Sequence, residues 1–257
     1  MSNSNPSYLA SAADDFIAPV CLEEITILFQ DEYILLINKP SGLLSLSGKH
    51  PANLDSVHHR LVKIFPNCTL VHRLDLGTSG IMVIALNKQL NALLCNQFSQ
   101  RSVEKTYIAL LQGKLLKLQG TIEAPIAKDK ANFPKMKICS QHGKAALSLY
   151  KLISEECCAK QSVEQKLKLS PEKHDQTKFE EQSFSIISRV EFRPETGRTH
   201  QLRIHSQSIG HPIIGCDLYG DTLSYQLAPR LMLHATRLEF NHPITGERIV
   251  GNSPCPF

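Results

Sequence analysis

Residues 72–80 read HRLDLGTSG, and the apolar run IMVIAL follows at once. A lone carboxylate, Asp75, therefore stands between basic side chains and a glycine-bearing turn, directly before rigid structure. An ionised acid fixed there is equipped to attack an electron-poor carbon, to take a proton, or to steady developing positive charge. The same residue types also make an ordinary structural turn, so the motif alone leaves both readings open. A second polar stretch, TGRTHQLRIH at 196–205, adds Arg198, His200, Gln201 and Arg203 beside a helical pattern. Two shorter stretches, INKPSG at 37–42 and KTY at 105–107, place Lys39 and Tyr107 next to strands. Polar groups that flank regular elements are held more precisely than groups on loops, which is what chemistry requires.

Other chemistries find less support. Ser79 lacks a GxSxG setting and has no marked histidine and acid partner, which argues against a serine nucleophile. The eight cysteines are scattered singly except for Cys157-Cys158, with neither a CxxC pair nor an HExxH element, so no disulfide framework or structural zinc site is expected. His205, His211 and His234 are read as structural, and no bound metal is expected.

The elements that must position these groups follow from apolar periodicity. ITILFQ and YILLINK (25–30 and 33–39) read as strands, with PSG turning the chain. Residues 53–65 put Leu54, Val57, Leu61, Val62 and Phe65 on one side of a helix that Asn53 or Asp55 would cap and Pro66 would end. Residues 81–86, apolar throughout, read as a buried strand, 88–99 as a helix, and 105–113 as a further strand. GTIEAPI, KMKICS, KAALSLYKLI and FSIISRVEFRP supply short strands. Thr199 is expected to cap a helix running to about Ile209, and LMLHATRLEF and ERIVG close the chain as strands around the NHPITG turn. This count fits an α+β fold with a large mixed, mainly antiparallel sheet flanked by helices better than a parallel βαβ array.

At 257 residues the chain is long enough for one large core or two joined halves. The first twenty residues lack the basic start and apolar core of a secretion signal, and no stretch is long enough to cross a bilayer, so a cytoplasmic address is expected. Residues 155–181 carry seven acidic residues against five lysines with few large apolar groups, and are read as an exposed insertion. The net charge of +4 thus becomes an excess of six on the rest of the chain, which suits a phosphate-bearing partner.

From about Ile25 to Val250 the sequence resembles the RluA family of pseudouridine synthases, most closely the group acting on large-subunit ribosomal RNA and the transfer RNA anticodon arm. The resemblance rests on HRLDLGTSG, INKPSG, KTYIAL, TGRTHQLRIHSQSIGHPIIGCDLYG and LMLHATRLEF, in that family's motifs. It implies a cofactor-free isomerisation in which uracil leaves its ribose through N1, turns, and rejoins through C5. It also implies a catalytic role for Asp75, a base-packing tyrosine at Tyr107, and an arginine at Arg198 that pairs with Asp75. The carboxylate would attack C1′ or take a proton from C2′, and the residues do not separate the two routes. Tyr107 is read either as a core tyrosine or as the ring that stacks on the base while its hydroxyl assists proton removal from C5.

His72 and Arg73 are read either as structural or as contacts to RNA that hold its stack open after the target nucleotide is extruded, with Arg73 the better fit. Thr78 or Ser79 is read as satisfying turn groups or the carboxylate. Lys39 is read as supporting an RNA-facing loop, His200 and Gln201 as bracing Arg198 or the helix entrance, and Arg203 as reaching phosphate, with ordinary capping or surface solvation the alternative for each. Lysines 49, 128, 130, 135, 137 and 144, in loops 43–55 and 125–145, are further phosphate contacts. The domain reading is a polar extension at 1–24 followed by a catalytic domain at 25–257, with no separate amino-terminal RNA-binding domain. The expected partner is structured RNA, 23S-type ribosomal RNA or the transfer RNA anticodon stem-loop or both. The protein is expected to act as a monomer, with no membrane and no cofactor. The rival reading is a protein that binds structured RNA without changing it, and Asp75 discriminates: a pure binder gains nothing from a carboxylate facing a polyanion.

Overall fold

The computed structural model describes residues 16–159 and 184–257. Twelve strands are described: β1 (Thr26–Gln30), β2 (Ile34–Lys39), β3 (Thr69–Leu70), β4 (Ser79–Ala85), β5 (Glu104–Gln112), β6 (Gln119–Glu123), β7 (Ile126–Lys128), β8 (Met136–Ile138), β9 (Leu147–Ala159), β10 (Phe184–Pro194), β11 (Leu233–Asn241) and β12 (Arg248–Asn252). Four helices accompany them: α1 (Val57–Leu61), α2 (Lys88–Ser99), α3 (Gln201–Ser208) and α4 (Thr222–Gln226).

Ten strands form one sheet in the order β1-β2-β4-β11-β5-β10-β9-β6, with β12 on β11 and β3 on β4, while β7 and β8 form a separate hairpin. The fold is therefore α+β with a large mixed sheet. Between the described strands only the β4–β11 pairing is parallel; the other strand pairings are antiparallel. That parallel contact is very close. Gly80 has φ +119°, and a Cβ built on it would lie 2.2 Å from the Ala235 carbonyl oxygen and 2.5 Å from its nitrogen, so only glycine fits.

The core is divided. β2, β4, α1, α2 and the far part of β11 enclose one cluster, to which Ile37, Met82, Leu61, Leu94 and Phe240 contribute. β5, β10 and α3 enclose the other, with Ala109, Leu111, Phe192, Leu202 and Leu233. Every residue of β4 is buried, as its unbroken apolar run requires. Tyr107 is packed against both clusters and marks their seam.

Several expected elements differ from those observed. The helix expected over 53–65 is confined to Val57–Leu61. The Val57 amide bonds the Leu44 carbonyl at 2.8 Å and holds Ser56 extended, so the helix starts there, with the Ser56 hydroxyl accepting from the His59 N–H. Asn53 instead ties down residues Phe16 and Ala18, and Asp55 pairs with Arg60. Thr199 does not cap α3: the N-cap is His200, in the left-handed region with φ 56°. GTIEAPI splits into β6 and β7 because Pro125 has no N–H to continue a ladder. Finally, β9 runs to Ala159 in register with β10, so residues 155–159 belong to the sheet; 160–181, the rest of the expected insertion, lie outside the described residues.

Candidate active site

The first polar motif is clamped by the second strand's end. Lys39, fully buried at the end of β2, donates from Nζ to the carbonyls of Pro40 at 2.8 Å and Leu76 at 3.2 Å. The Gly42 N–H donates to the Leu76 carbonyl, the Ser41 hydroxyl to that of Gly77, and the Ser45 hydroxyl to that of Leu74. INKPSG and the residues after it therefore cradle the Asp75 loop. A four-carbon chain ending in a multiple donor is what lets one side chain satisfy buried carbonyls on two segments. Burial pulls the Lys39 pKa down to about 7 against the raising effects of Cys21 and Asp75. Within the loop, the Thr78 N–H closes a turn on the Asp75 carbonyl at 3.1 Å, and Thr78 itself is buried.

The cleft that Asp75 enters has a volume of about 380 Å³. It lies along the seam of the two cores and is lined by Arg73 and Asp75 from the first motif, Lys105 and Tyr107 from β5, and Arg198, His200 and Arg203 from the second motif. The sheet order explains the meeting: β4, which follows the Asp75 loop, is separated from β5 by β11 alone, and β10 lies on the other side of β5 and leads into the Arg198 loop. Asp75 is half-buried, and its carboxylate accepts no hydrogen bond from the described residues. Its charge nonetheless acts on Lys39, Tyr107, His200 and Arg203. Burial, reinforced by that negative charge, holds the Tyr107 phenol well above its ordinary pKa, so the tyrosine keeps its proton at neutral pH.

Gln201 organises the second motif. Its buried amide accepts from the Thr196 hydroxyl at 2.7 Å and the Arg198 N–H at 3.0 Å, and donates to the Leu147 carbonyl and Ser148 Oγ, both at 2.9 Å. The Arg198 side chain donates from Nε to the Ala145 carbonyl at 3.0 Å, and it makes no ion pair with Asp75 among the described residues. The two share the cleft without the direct contact that the resemblance implies.

A match to the family model described as RNA pseudouridylate synthase covers residues 33–208. The chain belongs to the RNA pseudouridylate synthase family. It is similar to the dual-specificity RNA pseudouridine synthase RluA of Yersinia pestis, with 40% identity over 220 residues covering 86% of this chain and 94% of the relative. Against the protein of that name from Salmonella typhi the identity is 36% over 233 residues, covering 91% and 94%. Among solved structures, human RNA Pseudouridylate Synthase Domain Containing 1 matches with a TM-score of 0.70 and 28% identity, over 93% of this chain and 86% of that one. The protein is accordingly an RNA-modifying isomerase.

Within this synthase several expected contacts have other employment. His72 lines the cleft, but its Nε2 accepts the Val83 N–H at 3.1 Å and its ring stacks on Phe98 at 4.8 Å. Burial, with Lys105 nearby, lowers its pKa to about 3, so it is a neutral support that offers phosphate no charge. Arg203 is buried too. It is bonded to Asp217 and to Cys216 Sγ and sits 5.4 Å from the centre of the Tyr219 ring, so it does not reach out to phosphate. Burial works against its charge, yet Cys216, Asp217 and Asp75 hold its pKa above the usual value. Arg73, by contrast, is exposed and makes no hydrogen bond or ion pair with described residues.

Ser79 does find a histidine, its Oγ lying 2.9 Å from His234 Nδ1, but both are buried away from the cleft and the third partner is the Ser253 carbonyl rather than an acid. The sequence reading gave no role in the site to Lys105, Phe98, Cys216, Asp217 or Tyr219. The signal for the last three was the GCDLYG run, quoted with the second motif but given no role of its own. Among the described residues no group of three or more His, Cys, Asp or Glu is arranged to hold a metal, and no helix is long and apolar enough to cross a membrane.

Proposed function

We propose that the protein isomerises uridines in structured RNA, ribosomal or transfer RNA or both, with Asp75 as the catalytic carboxylate. The carrying observation is the convergence of Asp75, Tyr107 and Arg198 from three separate stretches on one cleft of nucleoside-accommodating size. A uridine must leave the RNA stack to enter it. Arg73, exposed at the same cleft, takes the space or phosphate that the extruded nucleotide leaves. Asp75, whose carboxylate accepts no hydrogen bond from the described residues, attacks C1′ or removes a C2′ proton, and the walls retain the freed uracil while it turns.

Tyr107 acts as the stacking ring. Its raised pKa favours this role over that of a base, because a phenol that holds its proton so firmly cannot readily take one from C5. Arg198, held by its backbone N–H and Nε in the cleft that Asp75 also lines, supplies positive charge to the site. The exposed lysines of the β7–β8 hairpin and its flank, Lys128, Lys130, Lys135, Lys137 and Lys144, contact the RNA backbone. The dual-specificity relatives favour two RNA classes as substrates, and the reading places the enzyme in the cytoplasm as a monomer without cofactor.

The test uses total cellular RNA carrying tritium at uridine C5, incubated with native and D75N protein, with the modified position mapped. Native protein releases tritium and leaves RNA mass unchanged, while D75N is slowed by at least about 100-fold but still binds. Binding without release by the native protein, or equal release by D75N, overturns the proposal.

A further inference from the structure

Tyr219 does not line the cleft, yet its hydroxyl joins two parts of the molecule that the proposed function uses. The oxygen accepts the Met136 N–H of β8 at 2.7 Å and lies 2.8 Å from His200 Nδ1. Met136 belongs to the hairpin whose strands and tip carry Lys128, Lys130, Lys135 and Lys137. His200 lines the cleft at the corner between Arg198 and α3, and is one of two described non-glycine residues with positive φ. A left-handed histidine costs conformational energy and persists only when its surroundings hold it. Here the hold is the tyrosine, whose ring meets the imidazole edge-on at 5.6 Å.

The protons are consistent with one arrangement. The Met136 N–H donates to the Tyr219 oxygen, which leaves the phenol proton available for His200 Nδ1 in the tautomer protonated at Nε2. Burial depresses the His200 pKa, which leaves Nδ1 free to accept, and burial pushes the Tyr219 phenol up to about 12, which keeps its proton in place. Arg203 packs on the Tyr219 ring and is itself fixed by Asp217 and Cys216, so the hydroxyl has little freedom to swing away.

We propose that Tyr219 is a positioning residue whose hydroxyl clasps the lysine-bearing hairpin to the His200 corner of the active site. Through it, capture of the RNA backbone by the hairpin orders the wall of the cleft that carries Arg198. The clasp is a contact of this chain's own residues, and only the coupling to RNA rests on the function proposed above.

Y219F removes the hydroxyl and keeps the ring on which Arg203 packs. Hydrogen exchange read by mass spectrometry should show the Met136 amide exchanging about tenfold faster in the variant, the effect of one lost hydrogen bond. Adding a stem-loop RNA with uridines in its loop should protect both 126–144 and 196–203 in the native protein, but only 126–144 in Y219F. In the tritium assay KM should rise about tenfold with kcat within about twofold of native. Unchanged Met136 exchange, RNA protection of both segments in Y219F or of neither in the native protein, or a fall in kcat at constant KM overturns the clasp. An active native enzyme with unaltered Y219F kinetics sinks the clasp alone. A native protein that binds RNA but releases no tritium sinks the isomerase reading, while Met136 exchange and the protection pattern still decide the clasp.

Discussion

Replacing Gln201 with leucine tests whether a single amide holds the Arg198 side of the cleft together. Leucine fills nearly the same space without polar atoms, so the packing is largely kept and four hydrogen bonds are lost. The partners are not equally affected. The Leu147 carbonyl still accepts the Glu195 N–H at 3.1 Å, and Ser148 Oγ keeps His205 Nδ1 at 2.9 Å. The Thr196 hydroxyl proton and the Arg198 N–H have no second acceptor among the described residues. Thr196 is buried, so stranding its proton costs about 1–3 kcal/mol, whereas the half-buried Arg198 amide regains water and costs about 1 kcal/mol. A total near 3 kcal/mol lowers the melting midpoint of a chain this long by roughly 10 °C. Because the chain has no tryptophan, far-ultraviolet circular dichroism is the suitable probe of the melt. Tritium release, measured well below the variant's midpoint, should show kcat/KM falling about tenfold or more as Arg198 loses its anchor. A Q201L protein that melts within about 2 °C of native refutes the energetic argument. One destabilised as expected but with native kcat/KM refutes the link from Gln201 through Arg198 to catalysis.

Other outcomes follow from the same geometry. Gly80→Ala puts a Cβ into the Ala235 backbone at a φ of +119°, and should destabilise the protein by more than about 3 kcal/mol or prevent its folding, read from soluble yield and urea melts; a native-like G80A would show that β4 and β11 need not approach so closely. His234 is buried and neutral, with its pKa lowered to about 4 chiefly by burial. The unfolded chain therefore binds the extra proton between about pH 6.5 and 4, so stability is full above 6.5 and falls as pH drops through that window, by up to about 3 kcal/mol. The difference in unfolding free energy between native protein and H234N should change with pH in that window, and a pH-independent difference would exclude His234 as the source.

The strands and helices were legible wherever one face or the whole of an element had to be apolar. The run at 81–86, the α2 pattern of Leu90 and Leu94, and FSIISRVEFRP each appear close to their expected bounds, because burial of those side chains leaves little choice of conformation. Helix starts were misjudged for a different reason. Asn53, Asp55 and Thr199 are all good caps by type, but Ser56 and His200 begin their helices because distant backbone and side chains hold them: Leu44 for the first, Tyr219 for the second. A cap is chosen by local chemistry only when no tertiary contact intervenes.

The sequence by itself determined which chemistry is available: one carboxylate on a rigid loop, a tyrosine on a strand, an arginine ahead of a helix, and the ordered motifs of a family. It could not tell which basic groups face outward. Lys39, His72 and Arg203 have the residue types of a phosphate-binding surface, and each is instead committed inside the molecule, to carbonyls of the Asp75 loop, to Val83 and Phe98, and to Asp217 and Cys216. Only the tertiary structure decides this, because burial and partner geometry depend on segments tens of residues away. The same long-range contacts convert a string of polar motifs into one cleft, lined by Asp75 and Arg198 alike.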